Sequence, residues 1–187
     1  VPFDYLKEIL EKNGITNCVS INFFTSQLLR SKPVVTPKKK NGIDPKKIIF
    51  LYVGTNDVRK NLTTLTKVFA EVTKGTDHLL IAKTNSDTDL TKTKNIKIIT
   101  DKVDLPKLAS LYNLCDYIIS FTRGEGVGMP MVEGAYFGKP VIAHNQGVFR
   151  DVSKFIQTDW IPLFAKEVPI DYTIVPSFLN QVFYGTW

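Results

Sequence analysis

Apolar residues in this chain follow two rhythms that alternate along its middle section. Residues 48–53 form a near-continuous apolar run of strand length, and so do 78–82, 96–99, 117–120 and 141–143. Between these runs the apolar spacing stretches to three and four. Leu62, Leu65, Val68, Phe69 and Val72 fall on one face of a helix that Gly75 ends. Leu105, Leu108, Leu111 and Tyr112 form a second helical stripe, with Asp104 as N-cap and Pro106 in the first turn. Residues 131–137 read as a third helix, stopped by Gly138 and Pro140. Short apolar strands alternating with helices predict an α/β fold, a parallel sheet with helices on both faces. Upstream, residues 3–12 repeat apolar positions at Leu6, Ile9 and Leu10 before Asn13-Gly14, the pattern of a short amphipathic helix. Residues 18–24 suit a strand running into a helical turn at 27–30, and 33–44 have the polar, basic, Pro- and Gly-broken composition of a linker. Beyond Arg150 the alternation fades, leaving an edge-strand candidate at 160–163 and irregular sequence at 175–179.

The 187 residues suffice for one well-cored domain and are too few for two. A chain 43% hydrophobic and 22% charged has an ordinary globular composition. No run approaches the roughly 18–20 apolar residues of a membrane helix, and no signal peptide is visible, so a cytoplasmic protein is expected. Val1 in first place suggests a truncated or processed start. Cys18 and Cys115 read as buried free thiols rather than a disulfide. Net charge is +6, concentrated in Lys38-Lys39-Lys40 and Lys46-Lys47. Those runs are either a solvated linker or an attraction to an anionic donor, acceptor or membrane surface. The absence of a zinc-ligand set, an aromatic RNA-binding pattern and a helix-turn-helix argues against nucleic acid.

The chemistry concentrates in Phe121-Thr122-Arg123-Gly124-Glu125-Gly126-Val127-Gly128-Met129-Pro130-Met131-Val132-Glu133. A strand precedes this run and a helix follows it. Glycine lets backbone approach a ligand, and a helix start presents free N–H groups to anions, so the run suits a phosphate cradle. Glu133, about one turn into the helix, could accept two hydrogen bonds from a vicinal diol such as ribose. Glu125, in the turn, would face whatever the phosphate carries. Two carboxylates also raise glycoside hydrolysis, but that reading leaves the alternating strands, the glycine turn and a basic loop unexplained. Ligands of open parallel sheets bind at the carboxyl ends of the strands. Three loops leave such ends, at 54–61, 100–104 and 121–130.

The stretch Glu-Gly-Val-Gly-Met-Pro-Met-Val-Glu-Gly-Ala from Glu125 resembles the donor-binding signature of retaining glycosyltransferases with the GT-B fold, family 4. There, two glutamates with seven residues between them sit in a Glu-Gly-Phe-Gly-Leu-Pro-like run followed by Glu-Ala. Asn41-Gly42-Ile43-Asp44 is similar to the Asn-Gly-Val-Asp that often leads into the second domain of those enzymes. The resemblance covers about 41–151, with weaker support from 1–30.

It implies a Rossmann-like C-terminal half of a GT-B fold, with a helix and linker at 1–40 and a nucleotide-sugar-binding domain at 41–187. The function implied is binding of a nucleoside diphosphate sugar for transfer to an acceptor hydroxyl on a glycan, lipid or protein. No cofactor or metal is implied, and an N-terminal GT-B domain is the expected partner. The resemblance gives Lys60 to the donor's diphosphate and Glu125 to the sugar hydroxyls and the positive character at the anomeric carbon. It gives Glu133 to the ribose, the backbone around Gly126, Val127, Gly128, Met129 and Pro130 to sugar and phosphate, and Lys102 and Val103 to the base. Gly54 opens the first loop; where the family usually has Arg next, this chain has Thr55, and Arg59 is the substitute on offer. Arg123 faces either phosphate or solvent. His78 reads as structural, and His144 ends a strand near the site. Asn61-Leu62-Thr63 matches a glycosylation sequon but falls at a predicted helix start, which discounts it. The family's sequences continue past the position of Trp187, which makes a fragment or a shortened member the expectation. A non-catalytic nucleotide-sugar-binding subunit and a degenerate structural domain are the alternatives.

Overall fold

The structure, a computed structural model, describes residues 3–21, 26–30, 38, 42–143 and 147–154. Five strands, β1 Ile49–Val53, β2 Leu79–Lys83, β3 Ile96–Ile99, β4 Tyr117–Ile119 and β5 Val141–Ile142, form one sheet in the order β3-β2-β1-β4-β5. Every pairing is parallel, with Ile49 opposite Leu79 and Phe50 opposite Tyr117 on the two sides of the central strand. The helices are α1 Asp4–Lys12, α2 Leu62–Val72, α3 Leu105–Leu114, α4 Met129–Tyr136 and α5 Val148–Val152, with a short 3-10 turn at Gln27–Arg30. This is the Rossmann-like arrangement expected from the alternation.

Successive side chains of a strand point to opposite faces, so β1 feeds two cores. Ile49 and Leu51 pack with Tyr112 of α3, Met131 of α4 and Phe149 of α5. Tyr52 packs with Leu62, Leu65 and Phe69 of α2 on the other face, where Phe50 meets Phe69 edge-on. Burying each such side chain is worth about 1.5–3 kcal/mol, which is why the central strands read as unbroken apolar runs. The N-terminal segment joins the first core through Phe3 and Leu28.

Several expected details shift. On α2 the buried face is Leu62, Leu65, Thr66 and Phe69, while Val68 and Val72 are exposed. Two overlapping sets at i, i+3, i+4 and i+7 are open to this helix, one from Leu62 and one from Leu65, and packing on the sheet buries the first, which takes in Thr66 and leaves out Val68 and Val72. Helix α4 starts at Met129 rather than 131, because Gly128 takes a left-handed φ of 72° and Pro130 is accommodated in the first turn. Residues 18–21 form no strand, and the rest of that expected strand lies outside the described residues. Cys115 is buried as expected, but Cys18 is half-exposed, and both thiols are free.

Lys38 is neither solvated nor available to an anion. Its ammonium donates to Asp116 Oδ2 and to the Lys47 carbonyl, each at 2.6 Å, and Asp116 also accepts from Ile49 N at 2.7 Å. A basic residue of the expected linker therefore clamps the amino ends of β1 and β4. Helix α1, which buries none of its own residues, is tied to α5: the Tyr5 N–H donates to Asp151 Oδ2 at 2.6 Å, and Arg150 reaches Glu8 at 3.0 Å. His144, Lys39, Lys40, Asn41, linker residues 33–37 and the candidates at 160–163 and 175–179 lie outside the described residues.

Candidate functional site

Because the strands all run one way, the loops leaving their carboxyl ends gather at one edge. The loop after β1 is built on Tyr52, whose hydroxyl donates to the Thr55 carbonyl at 2.9 Å. A Cβ on Gly54 would stand 2.8 Å from that hydroxyl, so glycine is what leaves the phenol room. Burial, then the charges of Asp57 and Glu125, hold the Tyr52 pKa well above its ordinary value, and the phenol stays a donor. Asp57 then shapes the loop, accepting from Lys60 N at 2.9 Å through Oδ1 and from the Thr55 hydroxyl at 2.5 Å through Oδ2. Thr55, where the family pattern places arginine, is thus used inside the loop.

This geometry delivers Arg59 and Lys60 to the loop after β4. Lys60 Nζ donates to Glu125 Oε1, and Arg59 Nη1 lies 3.6 Å from Oε2 while donating to the Gly124 carbonyl at 2.7 Å. Side-chain exposures of 12% for Glu125, 13% for Lys60 and 27% for Arg59 leave water only partial access. The cluster is therefore screened less than a surface pair worth about 0–1 kcal/mol. The two loops are also stitched through backbone: Arg123 N donates to the Arg59 carbonyl at 2.8 Å, and the buried Thr122 hydroxyl bonds both the Arg59 and Gly124 carbonyls. Arg123 keeps its side chain exposed.

Gly126 is exposed with open space around it, whereas Val127 and Met129 pack partly buried on the core. Gly128 is fixed for two reasons: its positive φ, and a Cβ there would stand 2.3 Å from Met131 Cε and 2.8 Å from Phe149 Cε1. In the first turn of α4 the Met131 N–H already donates to the Gly128 carbonyl at 2.9 Å and Pro130 has none to offer, which leaves the Met129 N–H at the helix start.

Glu133 sits apart from this cluster's hydrogen bonds. It is 8% exposed, and both its oxygens are engaged, Oε2 by the Tyr112 hydroxyl at 2.7 Å and Oε1 by the Ser26 hydroxyl at 2.6 Å. Lys102 and Val103 follow β3, the outer strand, two places from β1 in the sheet. A fourth loop, after β2, joins the three that the sequence marks: Asn85 Oδ1 accepts from Asn56 N at 2.7 Å and so reaches the first loop. His78 serves the sheet, its Nδ1 accepting from Ile48 N at 3.4 Å.

The sequence marks the two cations and both glutamates as candidates and leaves Asp57, Thr122, Tyr112 and Ser26, which the structure places against them, without a role. Tyr112 carried one signal, a hydroxyl in an otherwise apolar helical stripe, which when buried demands a partner. The other three carry no local pattern. Chemically, one guanidinium and one ammonium around a single carboxylate, beside a helix N-terminus, suit a polyanion. Among the described residues no three His, Cys, Asp or Glu side chains are gathered as a metal site, and no helix is long and apolar enough to cross a membrane.

A family model described as glycosyl transferases group 1 matches residues 36–160. The structure is similar to the C-terminal domain of a glycosyl transferase group 1 family protein, LpcC, from Francisella tularensis, at 18% identity and TM-score 0.56 over 68% of this chain and 74% of that one. It is similar to a glycosyltransferase from Rickettsia africae at 21% identity and TM-score 0.61, over 77% of this chain and 43% of that one. Sucrose-phosphate synthase from Thermosynechococcus elongatus matches at 20% identity and TM-score 0.61, over 77% of this chain and 40% of that one. The chain thus spans less than half the length of the latter two proteins, and at these identities the likeness is one of fold. No curated protein matches the chain significantly.

Proposed function

The chain belongs to the glycosyl transferases group 1 family, and on that premise we propose that it is the donor-binding domain of a retaining GT-B glycosyltransferase of family 4, taking a nucleoside diphosphate sugar. The observation that carries this reading is the meeting of Arg59 and Lys60 with Glu125 at the carboxyl edge of a parallel sheet. That edge is where open parallel sheets bind ligands, and the pairing gathers the charges a diphosphate sugar needs.

In this reading a diphosphate takes over the two cations that Glu125 holds, aided by the Met129 N–H at the start of α4. Lys60 and Arg59 then offset the charge that builds on the leaving phosphate as the bond from anomeric carbon to phosphate oxygen breaks. Glu125, released from the cations, turns to the sugar hydroxyls and the positive character at the anomeric carbon, where the acceptor oxygen forms the new bond with retained configuration and gives up its proton to the leaving phosphate oxygen. Glu133 receives the ribose, and Lys102 and Val103 lie toward the base. No metal is required, since side-chain cations meet the phosphates. A second GT-B domain supplies the acceptor side and excludes water on closure.

A melting-temperature panel with UDP, GDP, ADP and their sugar conjugates tests the proposal, with Lys60→Ala and Glu133→Ala alongside. A ligand at about 100 times its Kd adds about 2.7 kcal/mol, a rise of roughly 5–10 °C for a chain of this size. A rise for one nucleotide, lost in both variants and kept in the presence of a chelator, supports it. No rise with any nucleotide in folded protein refutes donor binding by this chain and favours a domain that kept the fold alone.

A further inference from the structure

Glu133 poses a problem that its surroundings solve unequally. A carboxyl group 8% exposed needs hydrogen-bond partners, and it has one to each oxygen. The two donors differ in how firmly they are held. Tyr112 is fully buried on α3, and its ring stacks on Phe137, at the end of α4, with centroids 5.4 Å apart. Burial and the neighbouring Glu133 push the phenol's pKa well up, so it donates at any working pH. Ser26 comes instead from a short segment outside the sheet, next to the 3-10 turn Gln27–Arg30, and its hydroxyl also accepts from Leu28 N at 3.1 Å. An aliphatic hydroxyl is also the group a ribose would present.

We propose that Tyr112 is a positioning residue for the donor's ribose: its hydroxyl pins Oε2 of Glu133, so that Oε1, held here by Ser26, is the oxygen a ribose hydroxyl takes over. The inference rests on the donor-binding reading and extends it to two residues outside the glutamate run. Tyr112 fixes the carboxylate's rotation, and the Ser26 hydroxyl is the internal group that a donor exchanges. Tyr112→Phe then loosens Glu133 and weakens ribose binding, whereas Ser26→Ala removes a competitor and strengthens it.

Isothermal titration of the unsubstituted chain, Y112F and S26A decides the matter, with UDP, GDP and ADP and then the 2′-deoxy form of whichever binds. Y112F is expected to lower ribonucleotide affinity about five- to tenfold, the size of one ordinary net hydrogen bond, with a smaller change for the deoxy form. S26A is expected to raise ribonucleotide affinity about two- to fivefold by releasing one hydrogen bond, again with less effect on the deoxy form. Either variant moving both forms by the same factor, or S26A weakening binding, overturns the proposal while leaving the donor reading intact. Should Y112F fail to fold by its melting curve, S26A decides alone by the same criteria. No binding of any nucleotide to the unsubstituted chain overturns the donor reading and this inference together.

Discussion

Gly134, the residue after the second glutamate, tests the packing that holds Glu133 in place. It lies in α4 against β4, where a Cβ would stand 2.3 Å from Ile118 Cγ1, 3.2 Å from Cδ1 and 3.3 Å from Cβ. Gly134→Ala should gain about 1 kcal/mol of helix propensity. Against this, the new methyl must displace α4 or Ile118 by about an ångström to reach ordinary contact distance, and overpacking of that kind costs about 1–3 kcal/mol. Ile118 is 1% exposed and cannot swing into solvent, so the upper half of that range applies. The expected net is a loss of about 1–2 kcal/mol, or a melting temperature lower by about 2–8 °C. Urea denaturation measures it, and a double-mutant cycle with Ile118→Ala isolates the cause. In the I118A background the contacts at 2.3 and 3.2 Å are gone and only the 3.3 Å approach to Cβ remains, so G134A should become stabilising by up to about 1 kcal/mol. If G134A stabilises the unsubstituted chain, or costs the same in both backgrounds, α4 does not press on β4 as described.

Asp151, 1% exposed, is a second target. Burial raises its pKa, but the Tyr5 N–H and then Lys154 outweigh it, and the net value lies below the ordinary carboxylate range. A folded pKa below the unfolded one contributes stability that is present above the unfolded value and lost as pH falls through the folded one. Asp151→Asn should therefore cost about 1–3 kcal/mol at pH 7, with the gap to the unsubstituted chain closing below about pH 4; an equal gap in denaturation at pH 7 and pH 3 would count against the link to α1. Burial pushes the Cys115 thiol up to about 12, whereas Cys18 is half-exposed. Disulfide-exchange titration at pH 8 should find one thiol reacting in the folded chain and the second only on unfolding, and two prompt thiols would contradict the packing around α3.

The sequence by itself determined the local elements. Strands buried on both faces must read as apolar runs, and helices with one buried stripe must repeat at three and four, so β1 through β5, α2 and α3 were legible from spacing. The candidate cations and glutamates were legible too, because glycine and proline at fixed offsets mark a turn whatever the rest of the chain does. What only the tertiary structure decided involves partners far apart in sequence. Lys60 finds Glu125 across 65 residues, Lys38 finds Asp116 across 78, Ser26 finds Glu133 across 107 and Asp151 caps α1 across 146. A hydrophobic period reports which face of an element is buried but not which element covers it. For that reason spacing alone puts Val68 and Val72 inward and Lys38 outward, and leaves Tyr112 looking like one more apolar residue. The start of α4 moves on the same grounds: Phe149 of α5 and Met131 close over Gly128, where the backbone turns left-handed, and the helix begins at Met129, two residues before the spacing alone places it.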